Sequence, residues 1–68
     1  MDPDVMNREL RKFLKQVGVT SQREIELAIR QALENGTLQG NEQLTAKVVL
    51  TIDSIGLQHT VEDRIALE

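Results

Sequence analysis

The chain has 68 residues, no cysteine and a net charge of −3. This length predicts one small domain over residues 1–68, near the lower limit for independent folding. The composition excludes disulfides and thiolate metal sites, and a net acidic chain is not the usual footprint of a nucleic-acid binder.

The N-terminal residues carry no secretory or membrane signal. Arg8, Arg11, Lys12 and Lys15 interrupt every apolar run there, whereas a signal peptide needs an unbroken apolar region and a spanning helix needs about 20 apolar residues. We therefore expect a cytoplasmic protein that does not enter a membrane.

The first predicted element is a helix over about 3–17. Asp2 is suited to cap its N-terminus and Pro3 to occupy its first turn. Leu10, Phe13, Leu14 and Val17 then recur at helical spacing. Gly18 predicts the end of this helix, because glycine tolerates the left-handed conformation that follows a C-terminus.

A second helix is predicted over about 21–35. Ser21 and Glu24 match the capping box that begins many helices. Apolar residues follow at Ile25, Ala28, Ile29, Ala32 and Leu33. Asn35 and Gly36 predict its end.

The remainder predicts an antiparallel β-hairpin with strands over about 43–53 and 57–67. Residues alternate between apolar and polar from Leu44 to Ile52, which is typical of a half-buried strand. The fold class is therefore α+β with the order ααββ. The apolar face of the hairpin is expected to pack on the helices, and the helix residues expected in this core are Leu10, Phe13, Leu14, Ile25, Ile29 and Leu33.

Two registers are open for the hairpin. A type I turn at 53–56 with a glycine bulge pairs Asp53 with Leu57 and mixes the two faces. A tight turn at 55–56 pairs Ile52 with His59 and keeps one apolar face, although isoleucine is unfavourable at a positive φ. The second register is favoured, because a slip of one residue turns every side chain over.

No pattern predicts catalysis, a cofactor or a metal site. His59 is the sole histidine, and its acidic and hydroxyl neighbours lie in or beside one turn of a chain too short to enclose a cleft. Glu62 and Asp63 are the nearest carboxylates to His59, but their spacing in a strand does not converge on one point. We therefore expect no enzyme and no small-molecule substrate.

Nucleic-acid binding is the alternative function. The segment 17–21 between two helices resembles the turn of a helix-turn-helix motif within residues 8–35. Leu14 and Ile25 depart from the usual positions of that motif, and a basic stripe of this kind is more often simply the solvated face of a helix. The candidate contacts are Arg8, Arg11, Lys12, Lys15, Gln22, Arg23 and Arg30.

Residues 11–26, RKFLKQVGVTSQREIE, and the ending Ile65-Ala66-Leu67-Glu68 resemble a family of very short bacterial proteins of unknown function. The resemblance covers nearly the whole chain and implies a bacterial cytoplasmic protein that is a complete gene product. It supplies no activity and no site residues. Leu67-Glu68 could alternatively be the remnant of an expression tag.

The sequence therefore predicts a non-catalytic protein-interaction module. A two-stranded hairpin is marginal by itself and has two open edges. The expected partner is a protein, and one alternative is a second copy bound through a hairpin edge or a helix face as a homodimer.

Overall fold

The computed structural model describes every residue from Met1 to Glu68. One helix, α1 (Pro3–Glu34), is followed by strand β1 (Gln43–Ile52), a short 3-10 turn (Asp53–Ile55) and strand β2 (Leu57–Ala66). The α+β class and the hairpin are confirmed. The chain consists of two compact units, a helical unit of residues 1–37 and a hairpin unit of residues 38–68.

The helix begins as the sequence predicts. Asp2 is the N-cap, and its Oδ1 accepts hydrogen bonds from the backbone N–H of Asp4 at 2.9 Å and of Val5 at 3.3 Å. Pro3 occupies the first helical position, where the missing N–H has no cost. Two amides that the helix cannot satisfy internally are thereby paired.

The prediction of two helices is wrong, because α1 runs through Gly18 and Ser21 without a break. Gly18 is not among the glycines with positive φ, so it does not form a C-cap. The Oγ1 of Thr20 donates to the carbonyl oxygen of Gln16 at 2.7 Å, within the helix. Each new helix end leaves up to four backbone groups unpaired. Continuing through one glycine costs only about 1 kcal/mol.

The helix ends at Asn35, as predicted. Gly36 follows with φ of 82°, and the Oδ1 of Asn35 accepts a hydrogen bond from the backbone N–H of Thr37 at 3.0 Å. In the connecting loop the carboxylate of Glu42 accepts from the N–H of Gln39 at 2.8 Å and of Gly40 at 2.9 Å. These bonds lower the pKa of Glu42 below its ordinary value of 4.5, because they stabilise the charged form.

The hairpin register differs from both alternatives. Ile52 pairs with Leu57, Leu50 with His59 and Val48 with Val61. The favoured apolar face is correct, but its pairs are two residues out of step. The chain uses all four residues 53–56 as the loop, in which Gly56 adopts φ of 66° and its N–H donates to the carbonyl of Asp53 at 3.1 Å. Gly56 thus adopts the left-handed conformation, and Ile55 does not have to adopt a positive φ.

Neither unit has a core of its own, since no side chain in either unit is buried. Phe13, a residue of the expected core, is 50% exposed. Half-buried positions of α1 are Val17, Ser21, Ile29 and Ala32, and those of the strands are Leu44, Ala46, Leu50 and Ile65. These half-buried residues are the least exposed side chains of the helix and the strands.

A Gly18→Ala variant tests the continuity of α1. A methyl group there meets no atom within 4 Å, so alanine should raise the free energy of unfolding by about 0.5–1 kcal/mol through its better helix propensity. Urea unfolding followed by circular dichroism, at fixed protein concentration, measures the change. Gly36→Ala is the control and should destabilise, because Gly36 has a positive φ. Destabilisation by both variants would indicate that Gly18 ends a helix.

The loop hydrogen bonds predict a pH effect. Since the pKa of Glu42 is lowered by folding, its contribution to stability is present above pH 4.5 and is lost as the pH falls through the folded pKa. An NMR titration of the Glu42 side-chain carboxyl carbon should give a midpoint below 4.5. In Glu42→Gln, the amides of Gln39 and Gly40 should exchange faster than in the wild type at neutral pH. A midpoint at or above 4.5 would contradict the loop geometry.

Candidate interaction surfaces

The hairpin has one strongly apolar face, defined by alternation along paired strands. Residues directly opposite each other in the register share a face. Eight of the ten residues on one face are apolar. We call this the hairpin apolar face, and its residues are Leu44, Ala46, Val48, Leu50, Ile52, Leu57, His59, Val61, Asp63 and Ile65.

The opposite face of the hairpin is polar. It carries Thr45, Lys47 and Thr51 on β1 and Thr60, Glu62 and Arg64 among the residues of β2. This division is the pattern of a sheet that covers an apolar core on one side and meets water on the other. Yet the hairpin apolar face is open, with Val48 46% and Val61 52% exposed. The hairpin therefore presents a face built for burial.

The helix carries one long stripe, apolar at every position except Ser21, that two separate helices would have divided. Along most of α1 the spacing is four, four and three, so that eleven residues complete three turns and the stripe stays on one side of the helix. We call this the helix stripe, and its residues are Met6, Leu10, Leu14, Val17, Ser21, Ile25, Ala28 and Ala32. The sequence pattern contained it, but the expected break at Gly18 concealed it.

The charged residues of α1 are unevenly distributed along its length. Residues 8–15 hold four basic side chains and one acid, whereas residues 22–34 hold three acids and two bases. Within the second half, the Nε2 of Gln22 donates to the Oε1 of Glu26 at 3.1 Å. The helix is therefore basic in its first half and has a small excess of acids in its second half.

All seven candidate nucleic-acid contacts lie on this single helix and are exposed. Arg8, Arg11, Lys12 and Lys15 are in its first half, and Gln22, Arg23 and Arg30 in its second. A helix-turn-helix needs a turn that sets a recognition helix across a supporting one. Because α1 is unbroken, the geometry that suggested this mode of binding is absent.

The residues considered for chemistry do not form a site. His59 and Asp63 lie on the hairpin apolar face and Glu62 on the polar face. No group of three or more histidine, cysteine or acidic side chains is placed to hold a metal ion. An open surface depression is lined by Thr45, Glu62, Asp63 and Arg64.

Comparison with models of protein families identifies the family of the chain. The model of a family of unknown function, DUF6494, matches residues 1–68. The chain belongs to the DUF6494 family. The resemblance read from residues 11–26 and the C-terminal residues is thereby confirmed over the whole chain. Neither the curated proteins nor the solved structures give a match.

The function of the DUF6494 family is unknown, so membership assigns no activity to the chain. No stretch of α1 combines the length and apolar character of a membrane-crossing segment. The features of this DUF6494 protein that need explaining are its two exposed apolar surfaces, one on each unit.

Proposed function

We propose that this protein is a non-catalytic interaction module that self-associates, as a bacterial cytoplasmic homodimer. The observation that carries the proposal is the exposure of apolar side chains. No side chain is buried, and sixteen large apolar side chains are exposed. Scattered apolar residues on a surface are normal, but contiguous apolar faces mark contact sites. The helix stripe and the hairpin apolar face are both contiguous.

A partner also supplies the stability that the chain lacks. Below about 70–80 residues a domain usually needs disulfides, a metal or association. The chain has no cysteine, which fits a reducing compartment. Association is the support that its two apolar surfaces can provide, since most helical stability in proteins comes from packing of the apolar face and a two-stranded hairpin is marginal by itself.

The test measures molar mass by light scattering for two variants, one with a substitution on the helix stripe and one with a substitution away from it. Leu10→Glu places a charge on the stripe, whereas Gln16→Glu places the same charge away from it. Leucine, glutamine and glutamate have similar helix propensities, so α1 should persist in both. We expect wild type and Gln16→Glu to be dimeric at micromolar concentrations and Leu10→Glu to shift to the mass of one chain, 7.7 kDa.

Equal masses for Leu10→Glu and the wild-type dimer would remove the helix stripe from the interface. A wild-type mass of one chain at all concentrations, with a cooperative and stable fold, would contradict the proposal. Titration with generic duplex DNA at low salt is the companion measurement. Binding that weakens steeply as salt is raised would instead support nucleic-acid binding.

A further inference from the structure

The two edges of the hairpin expose different backbone groups. The N–H of Leu67 donates to the carbonyl of Glu42 at 3.1 Å, so these two residues form a hydrogen-bonded pair. Such pairs alternate along an antiparallel ladder, and the residues between them direct N–H and C=O outward. The outward residues of β1 are Gln43, Thr45, Lys47, Val49 and Thr51, and those of β2 are Gln58, Thr60, Glu62, Arg64 and Ala66.

The edge of β2 is protected. The outward N–H of Arg64 is already occupied, because the Oδ1 of Asp63 accepts from it at 2.8 Å. Glu62, Asp63 and Arg64 place three successive charges along this edge. Charged residues and locally satisfied amides are the means by which proteins keep an edge strand from pairing.

The edge of β1 has no such protection. Its ten residues include one charge, Lys47, and no proline. Val49 lies among the outward residues and is 49% exposed. Long, flat, weakly charged strands rich in β-branched residues pair readily with another strand. The hairpin therefore has one closed edge and one open edge.

We propose that β1 pairs antiparallel with β1 of a second copy, across a twofold axis at Val48. The product is a four-stranded sheet with the two β1 strands in the centre and the two β2 strands outside. This inference rests on the proposed self-association and names one surface that takes part in it, in addition to the helix stripe. The twofold axis is perpendicular to the sheet, so the hairpin apolar faces of both copies join on one side.

The register follows from the outward groups. Odd-numbered residues of one β1 must face odd-numbered residues of the other, because only these direct their backbone groups outward. Centring on Val48 sets Lys47 opposite Val49 of the second copy and Thr45 opposite Thr51. On the apolar face it sets Leu44 opposite Ile52 and Ala46 opposite Leu50. The pairs on the apolar face are all apolar, Thr45 and Thr51 are the same residue type, and Lys47 faces an uncharged valine.

Neighbouring registers are less favourable. Centring on Lys47 places the two lysines directly opposite each other, and like charges in that position are destabilising. Centring on Val49 shortens the paired segment. The Val48 register is the longest that avoids the lysine contact, and four strands with one apolar face exceed the minimum for a stable sheet.

Two proline variants distinguish the edges. Val49 and Thr60 are cross-strand partners, and the hairpin uses the N–H of neither. Proline at either position therefore removes one outward N–H and leaves the hairpin ladder intact. By light scattering, Val49→Pro should have the mass of one chain, and Thr60→Pro should keep the mass of the wild-type dimer. The reverse result would overturn the inference in favour of β2.

Two cysteine variants give an independent readout in this cysteine-free chain. Val48 and Val61 are also cross-strand partners. At the twofold axis the two copies of residue 48 form a non-hydrogen-bonded pair with Cα atoms about 4.5 Å apart, within disulfide range. On mild oxidation Val48→Cys should give a covalent dimer on a non-reducing gel, and Val61→Cys should remain a single chain.

The cysteine pair decides the matter if Val49→Pro fails to fold by circular dichroism. A wild-type dimer whose proline variants both stay dimeric, and whose Val48→Cys variant does not cross-link, would overturn edge pairing but leave self-association standing. A wild-type monomer at every concentration would overturn both. The failure of this inference is thus distinguishable from the failure of the proposed function.

Discussion

The constraint on which the structure depends is that neither unit of the chain can bury its own apolar residues. Within its own unit, the helix has one apolar stripe and no second element to cover it, and the two-stranded hairpin has one apolar face and no second layer. Large apolar side chains of both surfaces are exposed. Local order is therefore complete in each unit, although neither unit has a core of its own.

Local hydrogen bonds explain how the elements are delimited without a core. Asp2 caps the start of α1, Asn35 and Gly36 form its end, and the Glu42 carboxylate holds two amides of the loop that leads into β1. Each is a short-range interaction that the sequence specifies by itself. Neither unit buries its apolar surface by itself, and in the proposed self-association a second copy of the chain provides that burial.

The elements that could be predicted from the sequence are those with local signals. The N-cap at Asp2, the helix end at Asn35, the hairpin and its apolar face all follow from capping chemistry and period-two alternation. The continuity of α1 could not be predicted in this way. Gly18 and the Ser21–Glu24 pattern are local signals for the end and the start of a helix, and the continuation of one helix outweighs them. The register was two residues off, because a four-residue loop and a two-residue turn give the same facing of side chains. The edge asymmetry was not predictable, since it depends on which amides point outward and on the bond between Asp63 and Arg64.

The proposed association is part of folding, and the thermal unfolding midpoint as a function of protein concentration tests this most directly. When folding and association are coupled, mass action raises the midpoint as the concentration increases. We predict a steady rise in the midpoint from low micromolar to high micromolar chain concentration. A midpoint independent of concentration, with the mass of a single chain throughout, would contradict the account.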